Sequence, residues 1–187
     1  MKSYPVYLST ILLITGLFLL PIPVFSQTEE KQKDLFVEAE SYFLFEEYKD
    51  ALPLYMQILR ADPENYNINY KIGICYLNDV YQVSKSIEYL EKAVKGTRSD
   101  SKTTSFKEKF APPEALYFLG NAYRANNKLN EAIEVYEQFK TVLDPAVYDV
   151  ALVDQQIESC RIAANQKKNP MYFIKFRCGR CDAMHSI

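Results

Sequence analysis

Cys178-Gly179-Arg180-Cys181, followed by His185, is the one cluster in this sequence with metal-site spacing. A Cys-x2-Cys pair can place two thiolates on one zinc ion, and a nearby imidazole can add a third donor. A structural zinc takes four ligands, however. No second Cys-x2-Cys or His pair stands elsewhere, and His185 is the only histidine in the chain. A redox role for the pair would need a helix N-terminus in a thioredoxin-like setting, which the neighbouring sequence does not offer. Three readings stay open: a zinc site, a local disulfide, and an unstructured or read-through tail. The donor count favours the last, so no metal is assigned.

The remaining reactive side chains are placed for structure. Cys75 and Cys160 fall inside helical patterns and read as small buried hydrophobes. The carboxylates of Glu29-Glu30, Glu46-Glu47 and Glu131, Glu134 and Glu137 recur at helical spacing, which makes solvated faces. No Gly-rich phosphate loop is present, nor a Ser or Cys nucleophile at a strand-to-helix elbow. The sequence is thus read as a non-enzyme with no catalytic residues, no cofactor and no small-molecule substrate. A formal charge of −2 and the lack of any Lys/Arg block interleaved with aromatics argue against nucleic acid as a partner.

Past residue 30, apolar positions recur in segments of about a dozen residues, and the segments repeat one another. In the first, Leu35, Ala39 and Tyr42 share one helix, Ala51, Tyr55 and Ile58 a second, and Asp62-Pro63 closes it. The next has Ile72, Gly73 and Tyr76, then Ser86, Leu90 and Ala93. The third has Leu116, Leu119, Gly120 and Tyr123, then Ala132, Tyr136 and Phe139, closing on Asp144-Pro145. Two antiparallel helices approach closely only where one carries a small residue. Ala39, Gly73 and Gly120 are such notches, received by Ala51, Ser86 and Ala132, with Tyr55, Leu90 and Tyr136 filling the space beside them. Asp-Pro ends the second helix because the residue before proline is pushed out of the α region. Pro53 is expected in the first turn of its helix, where no intrahelical bond is lost.

This pattern resembles the tetratricopeptide repeat (TPR): a large residue, Leu-Gly, then Tyr, with Ala and an aromatic on the second helix and a closing Pro. One 34-residue period separates Ala39 from Gly73. Glu38 departs from the usual Leu, Asn69 from the usual large residue, and the second unit has an extra residue in its turn near Asp79 to Val83. The expected fold is all-α, a TPR solenoid over residues 31–166. Its repeats span about 32–65, 66–95 and 113–146, with an inserted loop at 96–112 carrying Phe106 and Phe110, expected to tuck against the solenoid. A capping helix over 147–166 has Val150, Val153, Ile157, Cys160 and Ala164 on one face.

The resemblance also implies where a partner sits. In TPR-like packing the first helices line a concave groove, and positions three before, one after and four after the notch point into it. Here these are Phe36, Glu40 and Phe43; Tyr70, Ile74 and Leu77; and Tyr117, Asn121 and Arg124. Phe36, Tyr70 and Tyr117 are expected to stack as an exposed aromatic stripe. The TPR clamp for a C-terminal carboxylate uses Lys and Asn where this chain has Phe36 and Glu40. An apolar segment of a protein or peptide partner is therefore expected over an acidic tail.

Residues 1–26 read as a secretory signal peptide, with Lys2, an apolar run from Ile11 to Leu20, Pro21 and Pro23, and Val24 and Ser26 at the −3 and −1 sites of a cut before Gln27. No cysteine stands near the cut for a lipid. Contact with a membrane is then expected only through the leader or a partner. Residues 167–187 form an irregular tail in which 171–176 is β-prone. The chain resembles the exported N-terminal region of bacterial envelope proteins, in which TPRs precede a β-propeller and an OmpA-like domain. That resemblance implies a scaffold in the periplasm or at the outer membrane. The alternatives are a truncated remnant of such a protein without independent function, or a membrane-tethered adaptor with an uncleaved leader.

Overall fold

Seven α-helices follow one another along the residues that the computed structural model describes, 24–168. They are α1 (Val24–Leu44), α2 (Tyr48–Ala61), α3 (Tyr66–Leu77), α4 (Ser86–Ala93), α5 (Glu114–Ala125), α6 (Leu129–Val142) and α7 (Val150–Lys168). Single 3-10 turns at Val83–Lys85 and Val94–Gly96 flank α4, and the β pairing among the described residues is one bridge between Thr97 and Ala111. The chain divides into two compact units, 1–34 and 35–187. In the first, the described residues are helical from Val24. The signal peptide falls outside the described residues except for Val24–Ser26, and the 171–176 segment, Cys178, Cys181 and His185 lie outside them entirely.

Within the second unit, packing follows the small-to-large matching of paired helices. Ala39, Ala51 and Tyr55 are fully buried in one cluster with Phe36, Ile58, Ile68 and Ile72. A methyl group added to Gly73 would stand 2.5 Å from Cγ of Leu90, and one added to Gly120 would stand 2.4 Å from the Tyr136 ring. Both glycines thus admit the one side chain that closes their helix pair. Ser86 and Ala132 are fully buried, Tyr42 is half-buried, and Tyr76 stacks on Tyr89 at 5.4 Å. Tyr123 donates to Glu91 across to α4 at 2.6 Å; burial and that carboxylate push its phenol up to about 12.

The turns explain the irregular middle repeat. Glu46 and Asn127, each five residues before the small residue of the second helix, adopt the left-handed conformation with φ of 61° and 63°. Glu47 N–H then donates to Tyr42 C=O and Lys128 N–H to Tyr123 C=O, so the first helix ends by satisfying its own carbonyls. The longer second turn ends α3 on Asn78, whose side chain donates to Ile74 C=O, and reaches α4 through a 3-10 turn. The start of α3 is capped by Asn65, which accepts from Ile68 N–H at 3.0 Å. Pro53 is the sixth residue of α2, one turn later than expected, because the helix starts at Tyr48. The carbonyl it leaves without an intrahelical donor belongs to Lys49, an exposed residue, so the lost bond costs less than it would in the core.

The inserted segment is more firmly held than its composition suggests. Its ends are clamped by Arg98 N–H to Ala111 C=O and Ala111 N–H to Gly96 C=O, both at 2.9 Å. Its middle is tied to the start of α3: Asn67 donates from its backbone to Lys109 C=O and from its side chain to Thr103 C=O. Phe106 packs on Phe36 at 5.9 Å, and Phe110 stacks on Tyr66 at 6.3 Å. Lys102 and Lys107 remain exposed between these anchors. Limited trypsinolysis is expected to cut first at Lys102 or Lys107, since the segment has no helix to unwind. An earlier cut inside α5 would contradict the pairing of α5 with α6.

On the C-terminal side, α7 lays Val153, Ile157 and Cys160 against α6, while Asp154, Gln155, Glu158 and Arg161 are exposed. It begins at Val150 after a linker holding Tyr148 and Asp149. Among the described residues, no helix is long and apolar enough to cross a membrane.

Candidate functional site

The nine residues expected to line a groove separate into two environments. At the first repeat they are committed to the protein itself. Phe36 is only 2% exposed, edge-on to Tyr55 at 6.5 Å and covered by Phe106 from the inserted loop. Glu40 accepts from the Tyr55 hydroxyl at 2.5 Å and pairs with Lys71 at 3.0 Å. The Lys71 ammonium, itself buried, also stands 4.3 Å from the centre of the Phe43 ring. Phe43 is half-buried, with Tyr48 and Tyr55 as ring neighbours. Burial and the bond to Glu40 push the Tyr55 phenol far above its ordinary range.

Further along, Ile74 is buried and Leu77 is half-buried in the cluster around Leu90 and Leu119. Asn121 accepts from the Tyr136 hydroxyl at 2.7 Å, and Arg124 is exposed in the last turn of α5. The Tyr136 phenol is pushed up to about 12 by burial, with Arg124 pulling the other way.

The expected stripe of Phe36, Tyr70 and Tyr117 is not formed. Phe36 turns to Tyr55 and Phe106, while Tyr70 and Tyr117 meet only through Phe118, 5.8 Å from each. The cause is the inserted loop, which supplies Phe36 with a partner from its own chain. What remains open is a pocket of about 390 Å³ at the other end, lined by Tyr70, Glu114, Tyr117, Phe118, Phe139, Tyr148, Asp149, Leu152 and Val153. Its rings form a continuous chain, since Tyr117 lies 5.8 Å from Phe139 and Phe139 lies 5.4 Å from Tyr148.

Each wall has a local origin. Tyr70 comes from the middle of α3, while Glu114, Tyr117 and Phe118 come from the first turns of α5, which Pro112 and Pro113 start. Phe139 is a core residue of α6. The Tyr148 hydroxyl donates to Glu114, fastening the linker before α7 to α5. Asp149 accepts from Ala151 N–H at 2.8 Å and so caps the start of α7, which brings Leu152 to the pocket mouth with more than half its surface exposed. Burial, with the Glu114 and Glu40 carboxylates, raises the Tyr70 phenol above its ordinary value. Volume, apolar walls and a few polar groups are those of a binding pocket. Of its nine residues, the sequence singles out Tyr70 and Tyr117 for the groove; Phe118, Glu114, Tyr148 and Asp149 carry no repeat signature.

Cys75 is buried and free, its thiol pushed up to about 12 by burial, which keeps it protonated and unreactive. Cys160, likewise buried and free, is shifted upward for the same reason. Among the described residues, no three His, Cys, Asp or Glu side chains converge as a metal site would require.

Stacked helix-turn-helix pairs with a terminal helix define a helical-repeat solenoid, a class that presents a binding surface. The comparisons make the class specific: residues 113–141 match the family model of the tetratricopeptide repeat. The fold is that of TPR solenoids. The first TPR of Spaghetti (RPAP3), solved with the HSP90 peptide SRMEEVD, is 20% identical with a TM-score of 0.54, covering 73% of this chain and 98% of its own. The TPR2B domain of yeast Sti1, in a complex with pHsp70, is 15% identical with a TM-score of 0.55 and coverages of 72% and 98%. The Sgt2 TPR domain of Aspergillus fumigatus is 19% identical, TM-score 0.54, with coverages of 74% and 82%. No curated protein matches the chain.

Proposed function

We propose that this chain is a non-catalytic scaffold of the cell envelope, exported through its leader, that holds a segment of a partner protein in the α3/α5/α7 pocket. The observation that carries the reading is an apolar, aromatic-walled pocket left open between α3, α5 and α7, while Phe36 at the first repeat is covered by Phe106 of the chain's own loop. Similar folds bind peptides: the RPAP3 repeat is bound to SRMEEVD and the Sti1 domain to pHsp70. The segment taken here is of another kind, because Phe36 and Glu40 are engaged internally and carboxylates line the pocket.

Selection from a phage-displayed library of random dodecapeptides tests the site. Tyr117→Ala is a poor probe, since Tyr117 also packs against Tyr136 and Phe139. Leu152 is exposed at the mouth, so Leu152→Arg obstructs the pocket without disturbing the core. The variant should bind the selected peptides at least about tenfold more weakly, roughly 1.4 kcal/mol, at an unchanged melting temperature. Equal binding by both proteins places the site elsewhere. For the cleaved leader of this reading, N-terminal sequencing of the protein from cells should begin at Gln27; a start at Met1 overturns the cleavage and favours the tethered adaptor.

A further inference from the structure

Resting on that reading, we infer that the pocket seats a basic side chain, Arg or Lys, of the bound segment. Two carboxylates, Glu114 and Asp149, share a pocket with five aromatic rings, and no Lys or Arg is among its lining residues. Neither carboxylate has an ion-pair partner among the described residues. On the helices that flank the linker, Lys140 of α6 lies 2.5 Å from Asp154, and Arg161 of α7 lies 3.1 Å from Glu137. The hydrogen bonds the two carboxylates do make are structural and partial. Glu114 accepts from the Tyr148 hydroxyl through one oxygen, and Asp149 accepts from Ala151 N–H through one oxygen. Each retains a second oxygen for a guest.

This arrangement discriminates by charge. Two like charges beside a pocket with apolar walls, Glu114 half-buried and Asp149 exposed at its rim, repel an acidic guest and attract a cationic one. The methylene stem of Lys or Arg suits the aromatic walls while its head reaches the carboxylates, and aromatic rings add attraction for a cation close to them. Arg has the further advantage of a planar fork that meets a carboxylate with two parallel bonds. A purely apolar side chain would leave the carboxylates facing it partly desolvated, with nothing in return. The guest is therefore a mixed basic and apolar segment.

The test uses the full chain and a Glu114→Gln/Asp149→Asn double variant in the same dodecapeptide selection. Gln keeps an acceptor for Tyr148 and Asn keeps one for Ala151, so the fold is retained and only charge is removed. On the wild-type protein, Arg and Lys should be enriched at least about fivefold over Asp and Glu. On the double variant that bias should disappear while apolar enrichment persists. Replacing Arg by neutral citrulline in the best wild-type peptide should weaken binding about tenfold, and high salt should weaken the Arg peptide more than the citrulline one. Absence of basic enrichment, or its survival in the double variant, overturns the inference. If apolar peptides are then still selected by the wild type and lost in Leu152→Arg, the docking reading stands without it. If nothing is selected, or selection is indifferent to Leu152→Arg, both are overturned.

Discussion

Gly120→Leu should lower the stability of the second unit by about 2 to 4 kcal/mol, read as a shift in the midpoint of chemical denaturation. The Cβ alone would stand 2.4 Å from the Tyr136 ring, and that ring has no freedom to withdraw. It is fully buried, its hydroxyl is held by Asn121, and Tyr117 packs against it at 5.8 Å. The helix pair must open to admit the leucine. Gly120→Ala is the sharper diagnostic, because alanine favours an exposed helix by about 1 kcal/mol over glycine. Here it should destabilise instead. A neutral or raised melting temperature for either variant would mean that α5 and α6 do not meet at this notch.

A comparable loss is expected from Lys71→Met, for an electrostatic reason. Lys71 is buried to 4% exposure and its charged partner is Glu40, which also accepts from Tyr55. Methionine replaces the aliphatic stem but leaves the Glu40 carboxylate in a poorly hydrated site without its cation. The cost should be about 2 to 4 kcal/mol, below the largest values for fully buried pairs because Glu40 retains some water contact. Adding Glu40→Gln removes the stranded charge and keeps an acceptor for the Tyr55 hydroxyl. The Glu40→Gln/Lys71→Met pair should recover at least half of the loss. If it is as unstable as the sum of its single variants, the pair is not coupled.

These two sites also show what a linear reading can and cannot reach. The Gly73/Leu90 and Gly120/Tyr136 matches are legible because size complementarity within one helix pair is written at a fixed spacing in a local stretch of sequence. Pairing of helices from three repeats follows from that alone. Lys71 is invisible to such a reading, since a lysine in a helical pattern reads as solvent-facing, and only the approach of α1 to α3 shows that Glu40 meets it. Phe36 reads as a groove residue because its periodicity is right. Its neighbour Phe106 is 70 residues away in a segment without periodicity, and nothing local encodes where such a segment lies. The Glu114, Tyr148 and Asp149 side of the pocket escapes for the same reason: it depends on how the linker before α7 folds back onto α5. Gly96, whose added methyl would collide with the Tyr66 ring, reads only as the edge of a loop.

The loop that fills one end of the groove sets a limit on timing. Phe106 and the backbone bonds to Asn67 occupy ground at the first repeat, so the proposed docking is confined to the short stretch at α5 and α7. A small footprint buries little area, and differences in affinity among related complexes arise mainly in how fast they come apart. On the proposed docking, a guest confined to this short stretch is expected to dissociate faster than one that spans all three repeats. Deleting the loop is then expected to lengthen the stay, by uncovering Phe36 as further ground for the guest.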